Sequence, residues 1–404
     1  MTRRNEKIKV EHLTKIFGTH VTKAKELLAE GKDKAEILEK TGSTVGIDDA
    51  NFSINENEIF VIMGLSGSGK STLLRMFNRL IEPTTGTISV DGKSVSQLDN
   101  QGLLELRRKK MSMVFQNFAL LPNRTILENA AFGLEIQGMN KEERDQKAHD
   151  SLEMVGLHGY DDKLPNELSG GMQQRVGLAR AITNDPDILL MDEAFSALDP
   201  LNRRDMQNEL LELQHKLHKT IIFISHDLNE ALRIGDRILM MHEGEVVQVD
   251  TPEDLLTHPK NDYVKRFIQN VDRSKVLTTG NVMVKPNTVN IEKDGPKLAL
   301  RRMNDEQISS IFVVDDDRHF IGLIDADDVN EMIENGERDL HKVLKHNVPT
   351  TGPDIAISEL LKQISKSPMP FAVLDDEEHL QGIILRSTVL EAISAAQEGG
   401  EDHE

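Results

Sequence analysis

The residues GLSGSGKS, Gly64–Ser71, restrict this chain more than any other stretch of it. They follow EIFVIMG (Glu58–Gly64), a continuous apolar run of the kind buried on both faces of a sheet. They open TLLRMFNRL (Thr72–Leu80), which reads as a helix. Strand, glycine-rich loop and helix in that order are the context that turns G-x-x-x-x-G-K-S into a phosphate loop. Gly64, Gly67 and Gly69, with Ser66 and Ser68 between them, let backbone N–H groups wrap phosphates, and Thr72 follows on the helix. Lys70 brings a point charge to the outer phosphates, and Ser71 can give its hydroxyl to Mg²⁺.

A phosphate loop requires a parallel sheet around it, and the flanking sequence predicts one. KIKVEHLTKIF (Lys7–Phe17) reads as a strand, Thr22–Glu39 as a helix broken at Gly31, and Val45–Ile54 as a strand again. Short buried strands are expected at Val114–Phe115, Ile188–Met191 and Thr220–Ile224, with helices between them to about Ile268. The fold class is therefore α/β. ILLMDE (Ile188–Glu193) delivers two adjacent carboxylates to a strand's C-terminal end, where open α/β sheets bind ligands. Asp192 suits the outer shell of a metal, and Glu193 suits the general base that orients an attacking water. His226, one of 14 histidines, directly follows the strand TIIFIS (Thr220–Ser225) and so reaches the same edge.

LSGGMQQR (Leu168–Arg175) sets two glycines ahead of a good helix. Ser169, Gly170 and Gly171 can present backbone N–H groups to an anion at a positive helix end; the same residues also suit an ordinary capped loop.

Charge and composition narrow the partners. The formal net charge is −20, which argues against nucleic acid as a partner. There is no cysteine, so disulfides and thiolate metal sites are excluded. The opening MTRRNEKIKV lacks an apolar core, so no secretory signal is expected. No apolar run approaches the roughly 18 residues needed to span a bilayer.

After Val271 a repeat appears. IFVVDDDRHFIGLI (Ile311–Ile324) aligns without a gap to FAVLDDEEHLQGII (Phe371–Ile384), and the preceding helices Lys297–Ile308 and Ile357–Pro368 keep that offset. Each unit reads helix, strand, acidic turn, strand, helix, and paired units usually bury their faces on each other. The ending QEGGEDHE is expected to be a disordered acidic tail.

In order, the phosphate loop, VFQ (Val114–Gln116), LSGGMQQR, ILLMDE, SALD (Ser196–Asp199) and SHD (Ser225–Asp227) resemble an ATP-binding-cassette (ABC) ATPase. The resemblance implies a P-loop, RecA-like nucleotide-binding domain with a helical subdomain, using ATP and Mg²⁺. It implies that Gln116 contacts Mg²⁺ and the attacking water, that His226 holds the γ-phosphate and positions Glu193, and that Phe17 stacks on adenine. It further implies that Ser169–Gly171 face ATP held by a second copy and that Asp199 crosses that dimer interface.

The repeated unit resembles a tandem of CBS domains. With the helical insert, it makes nearly the whole chain similar to the ATPase subunits of osmoregulatory glycine betaine/proline-betaine importers. The implied layout is an ABC ATPase domain over 1–270 with a helical insert at about 19–44. CBS domains at 279–336 and 339–396 and an acidic tail at 397–404 follow. Implied partners are a second copy and a membrane permease with a substrate-binding domain, at the cytoplasmic face of the cell membrane. Implied signals are ionic strength, an anionic membrane surface, or cyclic di-AMP at the CBS module.

The CBS pattern departs from nucleotide-binding relatives. The first unit has GLIDADD (Gly322–Asp328), with Asp325 where a hydroxyl is expected and Asp328 at the ribose position; the second, GIILRST (Gly382–Thr388), has no acid. That argues against ATP in the tandem and leaves a purely dimerising role open. Choline, carnitine or proline as cargo also stay open, as do a sensor with an inherited ATPase and a soluble cassette ATPase acting on ribosome or DNA. Against the last stand the single cassette, the lack of sustained heptads between Gly64 and Ser169, and the acidic balance.

Overall fold

Alternating apolar residues over a long N-terminal run make a strand pair: β1 (Glu6–Phe17) lies antiparallel to β2 (Thr44–Asn55). Between them stands the expected insert, as two helices, α1 (Val21–Ala29) and α2 (Lys34–Thr41). Gly31, at φ +76°, turns the chain between them, and Asp33 caps α2 by accepting from the Glu36 N–H. Ala24 and Ile37 seat the insert on Ile16 and Val45. The computed structural model describes residues 5–116, 118–269, 274 and 277–394.

Onward from there the elements are β3 (Ile59–Gly64), α3 (Lys70–Phe77), β4 (Thr85–Val90), β5 (Lys93–Ser94) and α4 (Asn100–Glu105). Then come β6 (Met111–Val114), α5 (Ile126–Ile136), α6 (Lys141–Met154), α7 (Gly170–Ile182), β7 (Ile188–Asp192) and α8 (Pro200–Leu217). The unit ends with β8 (Thr220–Ile224), α9 (Leu228–Ile234), β9 (Arg237–His242), β10 (Glu245–Asp250), α10 (Pro252–Thr257) and α11 (Asp262–Ile268).

Two sheets result. One is six-stranded in the order β10-β9-β3-β8-β7-β6, parallel except for β10. The other, β2-β1-β4-β5, is antiparallel; alternation of strands and helices alone does not foretell that second layer. One core joins them: Ile8, Val10 and Ile54 from the antiparallel sheet meet Phe60, Ile62, Leu190 and Ile222 from the parallel one, with Leu73 and Phe77 of α3. All six residues of β3 are buried, as a central parallel strand requires. Phe115, expected at a strand end, lies just past β6 and is exposed.

The chain divides into two compact units, the first ending at Ile268 and the second beginning at Gln269. In the second, β11 (Thr288–Asn290), β12 (Ser310–Val314) and β13 (Phe320–Asp325) form one small sheet. β14 (Thr350–Thr351), β15 (Phe371–Leu374) and β16 (Leu380–Ile384) form its copy. In each, the first pair is parallel and the second antiparallel; β11 and β14 are too short to show periodicity. The two acidic turns meet. Phe320 N–H donates to Glu378 O at 3.0 Å, Leu380 N–H donates to Arg318 O at 3.2 Å, and the His319 and His379 rings stack with centroids 4.6 Å apart. Beneath them Phe312, Val314 and Leu323 share a core with Ala372 and Leu380. The predicted acidic tail lies outside the described residues.

Candidate nucleotide site

The phosphate loop can be built only with glycine at two of its corners. A Cβ on Gly64 (φ +150°) would lie 2.3 Å from Met241 O, and one on Gly69 (φ +98°) would lie 2.5 Å from Gly46 O. Helix α3 begins at Lys70 rather than Thr72, so Lys70 and Ser71 belong to its first turn, where backbone N–H groups face an anion. The Lys70 ammonium folds back to donate to Gly64 O (2.9 Å) and Leu65 O (3.0 Å). Burial pushes its pKa below the usual lysine value, and the carboxylates of Glu193 and Asp192 counter that. Ser68 Oγ is buried in the loop with no hydrogen-bond partner. An orphaned hydroxyl, an ammonium folded onto the loop's own carbonyls and a loop of bare backbone fit a phosphate chain.

The two strand ends beside the loop carry the charge. Ser71 Oγ donates to Asp192 Oδ1 at 2.9 Å, and Arg75 holds Asp192 Oδ2 at 3.2 Å. This hydroxyl–carboxylate pair is an all-oxygen donor set of the kind Mg²⁺ takes, and it fits the metal. Glu193 sits at φ +47°, a backbone conformation uncommon for a residue with a side chain and typical of strained sites. Its Oε2 is approached from two sides, by His226 Nδ1 at 3.3 Å and Gln116 Nε2 at 3.5 Å. Gln116 also donates to Ser196 Oγ at 3.1 Å.

One cavity of about 710 Å³ is lined by Gly64–Gly67, Gly69–Thr72, Glu193 and His226 at the phosphate end; Ser68, Gln116 and Asp192 are not on its wall. Phe17 is also on its wall, 39% exposed, with the Lys15 ammonium 4.9 Å from its ring centroid. Sequence reasoning missed Thr44, Val45, Gly46 and Phe267, which complete the lining. It also missed how the loop is braced. Gly244 N–H donates to Ser68 O at 3.0 Å, and Lys34 of the insert donates to the adjoining Glu243 carbonyl and to Glu245 Oε1 at 3.1 Å. Only contacts distant in sequence reveal those roles.

Ser169, Gly170 and Gly171 are not on that cavity's wall. Ser169 caps α7 by accepting from Met172 N–H at 3.4 Å, and the two glycines are the first residues of the helix rather than a loop before it. Asp199 caps α8 through Leu201 and Asn202 N–H. Asn202 donates to Asp199 Oδ2 at 2.6 Å and is also the nearest side chain to Gly171, so the two motifs form one surface. Arg180, further along α7, donates to Phe118 O (3.0 Å) and Ala119 O (2.6 Å), tying the segment after Gln116 to this helix.

A phosphate loop at the switch point of a parallel sheet, an acid pair at the end of β7 and a glycine-started helix on a separate surface define a P-loop nucleotide hydrolase of the cassette type. The chain belongs to the ABC transporter family, whose model matches residues 47–196, and CBS-domain models match residues 280–335 and 339–395. It is the ATP-hydrolysing subunit of an ABC transport system. The chain is 59% identical, over 96% of its own length and 98% of the other, to the glycine betaine/carnitine transport ATP-binding protein GbuA of Listeria monocytogenes serotype 1/2a (strain 10403S). It is 54% identical, over 97% and 93%, to the glycine betaine transport ATP-binding protein OpuAA of Bacillus subtilis (strain 168). Among solved structures, the dimeric ATP-binding cassette MJ0796 bound to ADP and Pi matches at 34% identity and a TM-score of 0.51, over 61% of this chain and 98% of that one.

Proposed function

We propose that this subunit energises uptake of a compatible solute of the glycine betaine/proline betaine type, as a pair of copies docked on a membrane permease with a substrate-binding domain. The carrying observation is the convergence of Gln116 and His226 on Glu193 Oε2 at the strand end beside the phosphate loop. In this reading Gly64–Thr72 hold the phosphates of ATP, and Ser71, Asp192 and Gln116 hold Mg²⁺. The metal, when bound, neutralises charge on the outer phosphate oxygens. Glu193 takes the proton of the attacking water, while His226 and Gln116 fix the carboxylate's direction. Phe17 receives adenine. Ser169–Gly171 offer helix-start N–H groups, and Asp199 its loop, to ATP held by the second copy. The cargo assignment rests on the near full-length similarity to betaine transport subunits. Among the described residues no helix is long and apolar enough to cross a membrane, in keeping with a peripheral subunit at the cytoplasmic face.

The CBS pair is proposed as the gate, responding to ionic strength, to an anionic membrane surface or to cyclic di-AMP. Lys345 supports the salt reading: it donates to Asp325 and lies 2.9 Å from Asp328, so a lysine of this chain engages the one acid at the ribose position. A cavity of about 540 Å³, lined by the cations Lys285 and Arg318 with one acid, Asp317, supports an anionic ligand such as cyclic di-AMP. The proposed domains are the ATPase over 1–270, with its insert at about 19–44, and CBS units over 279–336 and 339–396, with 397–404 as a tail. The test is reconstitution with the permease in vesicles holding ATP. Labelled glycine betaine should accumulate and be competed by proline betaine; accumulation of choline or carnitine alone overturns the cargo, and uptake without ATP overturns the whole reading.

A further inference from the structure

We propose that Phe267, on the last helix of the ATPase unit, is a second aromatic wall of the nucleotide site and stacks on the purine base opposite Phe17; this rests on the ATP reading of the cavity. Phe267 and Phe17 line the same cavity although they come from opposite ends of the unit. Phe267 is held there by a ladder of rings. His242, at the end of β9, packs on Tyr263 with centroids 4.0 Å apart, and Tyr263 packs on Phe267 at 5.9 Å. Tyr263 and Phe267 are four residues apart on α11, so they share a helix face.

The foot of the ladder is anchored to the phosphate loop's floor. Tyr263 Oη donates to Met241 O at 3.1 Å, and Met241 O is the atom that closes against Gly64. The ladder therefore ties Phe267, through Tyr263, to the strand end that packs against Gly64. Phe17 is itself set by close contact, since a Cβ on Gly46 would lie 2.8 Å from its Cε2. Both rings are partly exposed on a cavity whose other end is all phosphate machinery. Planar aromatic groups held at a cavity mouth suit the π-face of a nucleobase, which two rings grip better than one.

The test uses the full-length protein and two ligands, Mg-ATP and Mg-tripolyphosphate, which keeps the phosphates and lacks the base. Calorimetric titration of Phe267→Leu, which keeps apolar bulk and loses the ring, should give a Kd for ATP raised about tenfold. Its Kd for tripolyphosphate should be unchanged, and Phe267→Tyr should bind ATP like the parent. ATP binding by Phe267→Leu at parental strength overturns the proposal, and so does equal weakening of both ligands, which would make Phe267 a support for the loop. Lys70→Ala separates this from the site reading: if it binds both ligands as the parent does, the phosphate assignment itself falls.

Discussion

Ser71 Oγ, in the first turn after the phosphate loop, donates to Asp192 Oδ1 at the end of β7, 2.9 Å away. β3 and β7 are separated in the sheet by β8, so the contact spans the switch region where the loop and the acid pair meet. Two oxygens held this way keep a hydroxyl and an acid together where Mg²⁺ is proposed to sit. Asp192→Asn should raise the Mg²⁺ concentration for half-maximal ATPase activity by about tenfold or more. ATP binding in chelator should be unchanged. An unaltered Mg²⁺ dependence would remove Asp192 from the metal's surroundings.

Glu193 is assigned the base because two donors converge on one of its oxygens. Glu193→Gln keeps the shape and removes the proton acceptor. Turnover should fall by about two orders of magnitude or more while ATP still binds. The uncleaved nucleotide should hold two copies together, visible as an ATP-dependent dimer by light scattering. Near-parental turnover would sink the assignment.

The helix-start glycines allow a clean separation of fold from function. The nearest atom to a Cβ on Gly170 is Phe118 Cζ at 3.8 Å, so a side chain fits there. An aspartate in the first turn of a helix also interacts favourably with its dipole. Gly170→Asp should therefore fold at least as well as the parent and bind ATP at its own Lys70. Dimer closure and hydrolysis should fail, because the carboxylate meets the partner's phosphates. ATP-driven dimers of parental strength would rule out action in trans.

Much of the site was legible because it is local. Gly64–Ser71, Asp192, Glu193 and His226 all lie at or just past the ends of β3, β7 and β8, and parallel strands end together. The brace of the loop was not legible. Lys34, Glu243, Gly244 and Ser68 come from three distant segments whose proximity is a property of the fold. The charge balance of the repeat was half legible. Its acidic turns could be read, but Asp315 and Asp375 are used by their own turns, accepting from the backbone N–H groups of His319 and His379. The cationic partners Lys293, on Asp316, and Lys345, on Asp325, appear only after folding.

His319 provides a pH dependence with a definite sign. Its hydrogen bond to Asp315, at 2.9 Å, raises its pKa above the ordinary histidine value, with Asp317 and Glu378 nearby acting in the same direction. The stacked His379 ring also faces it. A raised folded-state pKa means that the pairing stabilises fully below the unfolded value of about 6.5 and is lost as pH rises through the folded one. Asp315→Asn keeps the turn's acceptor and removes the charge. The gap in Tm between parent and variant, by calorimetry on the full chain, should be widest near pH 6 and close as pH rises. A gap independent of pH would show that Asp315 acts through the turn alone.

Salt should act on the second unit through pairs such as Lys345 with Asp325 and Asp328, whose side chains are each more than a third exposed. Exposed pairs of this kind contribute little to stability, and the range of such interactions falls from about 10 Å at 0.1 M salt to about 3 Å at 1 M. They can bias a gate without making the unit's fold depend on salt. Every hydrolytic motif precedes Asp272, so truncation there should leave a competent ATPase. In vesicles with the permease, the truncated transporter should take up substrate at low internal KCl, where the intact one is quiet. Lys345→Met should move the intact protein's threshold to lower KCl, since it weakens the same contacts that salt screens. The measurement is initial uptake against internal KCl for the three forms. If all three share one threshold, the sensor lies outside the tandem, and the paired units are left with dimerisation as their role.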